Sequence, residues 1–214
     1  MRCFFSVIMA AVGMSGAATA GPISYSLDAQ DSLLYLTVFK DTTTLAAGMS
    51  HDHAIRSAGW SGEAAVDLMD LSSCAISVSL PVASLVVDER WMRRVAGLEG
   101  ELSDTVRDSV RKNMLGSDQL DAKAHPTMRF TSTHCTASSI EGDLTIHGVT
   151  QHIAMPARIS ATSGGFSLTG RADIRATDYG FEPFTAMMGA MKNQDEMQLT
   201  VTLIGTADAA ADAQ

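Results

Sequence analysis

The residues best suited to chemistry in this chain are histidines. The stretch "SHDHAIRS", residues 50–57, carries His51 and His53 two positions apart. In an extended segment that spacing puts both imidazoles on one face, with Asp52 on the other. Two imidazoles so placed can ligate zinc or copper, in a site that needs three or four ligands. The missing ones would come from "IEGDLTIHGVTQHIAMPARI", residues 140–159, which holds Glu141, His147 and His152. A metal or redox accessory role is therefore one reading of His51 and His53. The other is a polar strand start whose histidines bond backbone groups or line a barrel mouth.

Nucleophilic chemistry finds no support. There is no Gly-x-Ser-x-Gly elbow. Cys135 directly follows His134, and neighbours on a strand point to opposite faces, so the two cannot act as nucleophile and base. Asp173, Asp178 and Glu182 lie close in sequence, but Asp in a turn such as "ATDYGFE" commonly holds its own backbone. No glycine-rich loop follows a strand to cradle phosphate. The expectation is a protein without catalytic activity or cofactor.

The elements that must position these residues begin after an export signal. Residues 1–20 show Arg2, an apolar run from Phe4 to Met14, and the small residues Ala18-Thr19-Ala20. That order describes a cleaved secretory signal peptide, and the run is too short to span a bilayer. No later stretch is long and apolar enough to do so. Losing residues 1–20 removes one basic residue of 15 and leaves all 24 acidic ones, a net charge of −10. Such an acidic domain is a poor partner for nucleic acid. Export also permits the two remaining cysteines, Cys74 and Cys135, to pair. Strand parity opposes the pairing. Cys74 shares a face with Ile76, Val78 and Leu80, whereas Cys135 shares one with Arg129, Thr131 and Thr133. A β-bulge would remove that objection, and the disulfide is the expected outcome.

Most of the remaining chain alternates with period two, the pattern of half-buried antiparallel strands. Such runs occupy 32–40, 62–71, 74–82 and 127–135, followed by "GDLTIHG", "HIAMPARIS", "GGFSLTGRADI" and "EMQLTVTLIGTA". In the first, Leu33, Tyr35 and Phe39 share one face and Leu34, Leu36 and Val38 the other, so parity does not choose the inner side. In the hairpin, Leu144 and Ile146 oppose Thr145 and His147, with Gly148-Val149-Thr150 as the turn. Between Leu98 and Leu120 the period changes to four, with Leu102, Val106, Val110 and Met114 in register. This predicts an amphipathic helix, N-capped by Ser103 and stopped at Gly116, too short to be a separate domain. Its apolar stripe (Val106, Val110, Met114) suits a lid or plug. "FTAMMGAMKNQ", residues 184–194, reads as an apolar loop or short helix.

About eight antiparallel strands with one helical insertion suggest a closed all-β barrel, which leaves no exposed edge. A sandwich remains compatible with the same periodicity. A barrel of that size either fills with side chains or encloses one ligand. The expected cavity or core face comprises Phe39, Met128, Phe130, Leu144, Ile146 and Met155, with Met187 and Met188 as adaptable additions.

"GDLTIHGVTQHIAMPARI" closely resembles the signature hairpin of the YceI-like proteins. "YSLDAQDSLLYLTVFK", "HAIRSAGWSGEAAVDL", "NMLGSDQLDAKAHPTMRFTST" and "GRADIRATDYGF" resemble further family segments in the family's order. Two departures stand out: Arg175-Ala176-Thr177-Asp178-Tyr179-Gly180 replaces the usual Arg-Ser-Asp-Phe-Gly, and the stretch from Asp88 to Gly116 is longer and more charged. The resemblance covers Tyr25 to about Ala207. It implies a lipocalin-like antiparallel barrel, exported to the periplasm, forming one domain over residues 21–214. It also implies a long apolar ligand, an isoprenoid such as a polyprenyl chain or quinone, or another lipid. A homodimer is compatible with it, and a filled-core structural or interaction module without ligand is the alternative.

Overall fold

A computed structural model describes residues 21–208, so residues 1–20, where the signal peptide is expected, lie outside the described residues. Twelve strands form one antiparallel sheet system: β1 (Ile23–Leu27), β2 (Leu33–Lys40), β3 (His53–Ser57), β4 (Ser61–Val66), β5 (Ala75–Pro81), β6 (Leu85–Val87), β7 (Thr127–Cys135), β8 (Ser139–Ile146), β9 (Val149–Thr162), β10 (Gly165–Arg175), β11 (Thr185–Ala186) and β12 (Met191–Ala207). Two helices lie between β6 and β7: α1 (Arg90–Val95) and α2 (Asp104–Leu115). The order β1-β4-β5-β7-β8-β9-β10-β12 closes on itself because β12 also pairs β1. This is a closed barrel of eight strands, and the sandwich alternative falls away.

The first three strands of the ring are bent. One edge of β12 takes β1 at Gly205–Ala207 and then β2 at Asn193–Thr202. Likewise β3 leads into β4, and β5 into β6, across short breaks. Serines hold the breaks together. The Ser32 hydroxyl accepts from the Ile204 N–H at 2.9 Å, and the Ser84 hydroxyl donates to the Gly59 carbonyl at 2.7 Å. The Ser57 hydroxyl donates to the same carbonyl at 3.2 Å. Backbone groups that leave the ladder at a bend must find partners, and these side chains provide them.

The helices complete the wall where the sheet stops. β6 is an edge strand, and α2 lies against it. Arg111 on α2 donates to the carbonyls of Leu85 and Ala83 at 3.1 and 2.7 Å, covering acceptors that an open edge would expose. The helix runs over fewer residues than the periodicity suggests, but its ends are as expected: the Ser103 hydroxyl accepts from the Val106 N–H, and Gly116 ends it. α1 has no counterpart in the sequence pattern. It covers the outer face of β2 and β3, where Tyr35, Ala54 and Met92 form a small buried cluster. That explains why β2 is apolar on both faces. Its inner face is Leu34, Leu36 and Val38, so Phe39 points away from the interior.

The signature hairpin turns one residue earlier than expected. β8 and β9 pair up to Ile146↔Val149, leaving His147 and Gly148 as a two-residue loop with φ of 52° and 75°. Positive φ at both positions matches the twist of the flanking strands. Cys74 and Cys135 form a disulfide with Cα atoms 6.0 Å apart. The parity objection is resolved by an irregularity between Ser132 and His134 in the β7–β8 register. Past it, Cys135 turns inward and is 2% exposed.

One seam interrupts the ring. β9 pairs β10 only over Ala157–Thr162 and Gly165–Gly170, and its first half diverges. Tyr179, from the turn after β10, fills the space and is buried, with no hydrogen-bond partner for its hydroxyl.

Candidate ligand cavity

The barrel holds two buried clusters with a cavity of about 240 Å³ between and through them. The first cluster packs one end shut, with Tyr25 and Phe166 edge to face at 4.9 Å and the disulfide beside them. The second lies under α2 and includes Val38, Leu85, Met114, Leu120, Ile146, Ile174 and Met197. Lining residues at the first end are apolar: Leu34, Ile76, Ile140, Leu168 and Leu203. Most polar lining gathers toward the other end, with His53, Asn113, Gln119, Asn193 and Gln194, while Ser57 and Arg129 add polar groups elsewhere in the wall. There the Gln119 amide donates to the Glu182 carbonyl at 3.0 Å, joining the segment after α2 to the segment before β11.

Seven of the residues singled out from the sequence meet in this space: Met128, Phe130, Leu144, Ile146, Met155, Val110 and Met114. Glycines make room for two of them. A Cβ on Gly142 would lie 2.6 Å from the Phe130 ring, and one on Gly170 would lie 2.9 Å from the Met155 thioether. Four residues lie elsewhere. Phe39 has the outward parity of β2. Val106 is half-buried on α2, one turn too early to reach the cavity. Met187 and Met188 sit in the tight turn between β11 and β12 with φ of 51° and 55°; they are 57% and 106% exposed. The turn projects them from the rim. Leu34, Leu36 and Val38 line the cavity in place of Phe39, and only the position of α1 identifies theirs as the inner face.

The most organised polar group at the cavity is built around Asp88. Its carboxylate is 1% exposed and follows β6 with φ of 52°. One oxygen, Oδ1, accepts from the Ala54 N–H and from Arg93 Nη1, both at 2.9 Å. The other, Oδ2, is 2.6 Å from His53 Nδ1. Arg93, 4% exposed, also donates to the carbonyls of Asp52, Glu99 and Gly100. Burial alone would raise the Asp88 pKa, but the hydrogen bonds from His53, Ala54 and Arg93 outweigh it and hold the carboxyl below 3.8. Three donors stabilise the charged form. The neighbouring His51 is pushed down by partial burial and by the charges around it, Arg93 and Lys40 among them. At the seam, burial and Asp178 push the Tyr179 phenol up to about 12.

The histidines do not converge. His51 and His53 have ring centroids 6.5 Å apart. His152 lies on the outer surface beside Asp143 and Glu141, at 3.0 and 3.8 Å. His147 packs on His125 with centroids 4.5 Å apart. Among the described residues there is no group of three or more His, Cys, Asp or Glu able to hold a metal ion. No helix among them is long and apolar enough to cross a membrane.

An eight-stranded antiparallel barrel with one end packed shut, an apolar interior and polar groups at the other end defines a lipocalin-like barrel, a fold suited to binding or carrying a ligand. The model of the YceI-like domain matches residues 25–204, and the chain belongs to this family. Among solved structures, the Burkholderia cenocepacia protein BcnA is similar with a TM-score of 0.62 and 16% identity, over 83% of this chain and 98% of that one. A Campylobacter jejuni YceI protein is similar with a TM-score of 0.53 and 17% identity, over 72% of this chain and 84% of that one. No curated protein matches the sequence.

Proposed function

We propose that this chain is a non-catalytic periplasmic carrier of a long apolar molecule, an isoprenoid such as a polyprenyl chain or a quinone. Residues 21–214 act as one domain, and α2 serves as a lid. The observation that carries this reading is the distribution of polarity in the cavity: a predominantly apolar lining, with most of its polar side chains, amides and an imidazole among them, at one end. Such a gradient suits a molecule with a long tail and a small polar head. Each buried methylene contributes about 0.8 kcal/mol, so a tail needs no polar motif to bind. Met114, Met128, Met155 and Met197 give walls that adapt to an irregular chain. Export is supported by the signal-like residues 1–20 and by the disulfide.

The test is native mass spectrometry of protein purified from its own periplasm without detergent. The expected result is a mature chain lacking residues 1–20 and carrying an apolar adduct that is lost on denaturation. A bare chain that also fails to take up farnesol would overturn the reading.

A further inference from the structure

We infer that His53 is the head-group acceptor of the cavity: its Nε2 receives a hydrogen bond from a hydroxyl-bearing ligand, which selects alcohols and phenol-type heads over capped ones. The inference rests on the carrier reading above and adds the chemistry of the head. His53 is the first residue of β3 and lines the cavity at its polar end. Its side chain is 12% exposed. The ring cannot turn freely, because Nδ1 is 2.6 Å from Asp88 Oδ2, and Asp88 is held in turn by the Ala54 N–H and Arg93.

The proton positions follow from this arrangement. Asp88 meets two unambiguous donors at Oδ1 and is an acceptor throughout, so the contact at Oδ2 requires a proton on His53 Nδ1. Asp88 and Arg93 already balance each other, one charge against one. A neutral ring with its proton on Nδ1 has a lone pair on Nε2. Nε2 makes no hydrogen bond to the protein among the described residues. It is the one ring atom left to meet whatever enters. An acceptor left free at the cavity's polar end favours a ligand that brings a donor, and a hydroxyl is the donor compatible with a long apolar tail. A carbonyl or ether head offers only lone pairs and gains nothing from Nε2.

The test uses two probes with the same tail, farnesol and farnesyl methyl ether, each displacing the neutral dye N-phenyl-1-naphthylamine from the full mature protein. Farnesol should bind about tenfold more tightly, the order of one net hydrogen bond. In His53→Leu the two should bind alike. Because that variant leaves Asp88 short of a partner, a second measurement uses the unaltered protein. In ¹⁵N-labelled protein, the His53 nitrogens should show the Nδ1–H form, and the Nε2 signal should move on adding farnesol but not the ether. Equal binding of both probes to the unaltered protein, or a Nε2–H ring, would overturn the inference and leave the carrier reading standing. Failure of both probes to displace the dye would overturn the carrier reading and this inference with it.

Discussion

Replacing Cys74 and Cys135 together by alanine should cost this barrel about 4 to 5 kcal/mol. The cross-link joins residues 61 apart in sequence. In the chain-entropy picture, a closed loop of about 60 residues lowers the entropy of the unfolded chain enough to supply about 4 kcal/mol at 25 °C. The two sulfurs lie in the cluster that shuts one end of the barrel, at 8% and 2% exposure, so truncation adds a small packing loss. For a chain of this size that is about 8 to 20 °C in midpoint temperature. The measurement is urea and thermal unfolding of oxidised protein against the double variant, at one pH and without ligand. Hydrogen exchange should place the loosening around β5, β7 and Ile140. The pairing of Ser77–Pro81 with Thr127–Thr131 is made by backbone bonds, so the cavity itself should survive. A loss below about 1 kcal/mol would refute the reasoning, as would two titratable thiols in the denatured, unreduced mature protein.

Three further substitutions probe the interior. Tyr179→Phe removes a buried hydroxyl without a partner and should stabilise the protein by about 1 to 2 kcal/mol. Its raised pKa means the neutral phenol's contribution is complete below 10.0 and is lost as pH climbs toward about 12; the variant should lack that alkaline loss in a pH series of urea midpoints. Asp88→Asn keeps a residue that tolerates the left-handed backbone but deprives Arg93 of its counter-charge and replaces one of the two acceptor oxygens with a donor, and should cost about 3 kcal/mol at neutral pH. Because the Asp88 pKa is depressed, its contribution is present above about pH 3.8 and disappears as pH falls through its lower folded value, so acid unfolding should be shallower in the variant. Phe130→Ala should cost about 1 to 3 kcal/mol, less than the 3 to 5 of a fully packed ring, because one side already faces the cavity; dye and farnesol binding should weaken more than stability. A larger stability loss with unchanged binding would make Phe130 ordinary core.

How much of this could be read from the sequence depended on how local the cause was. Period-two alternation located the inner faces of the strands after residue 126, where each strand has one apolar side: Met128, Phe130, Leu144, Ile146 and Met155 all reach the cavity. β2 defeated the same reasoning because both its sides are buried, one by the barrel and one by α1. α1 is six residues long, three of them arginine, too short for a helical period to emerge. The disulfide was opposed by parity until a single register irregularity reversed it. His147 hid the turn, since a histidine at positive φ gives no warning in the sequence, whereas Gly148 does.

The histidine pair shows where spacing stops being informative. His51 and His53 were two apart, the interval that places two ligands on one face of a strand. Only His53 belongs to β3, and its partner is not His51 but Asp88, 35 residues away. "VVDER" carries no sign of that role. Asp88 reaches His53 because β6 pairs β3 through Ile55↔Val87, and because the backbone then turns at φ 52° to aim the carboxylate across the strand end. Arg93 comes to it from α1, one turn into a helix whose other duty is to cover β2. Residues 88–95 therefore perform two tasks with one short segment: Met92 seals the outer wall, while Asp88 and Arg93 orient an imidazole on the inner one. The longer, more charged stretch after β6 is thus tied to the cavity's polar end through its charges, and deleting it would release the ring as well as expose the sheet.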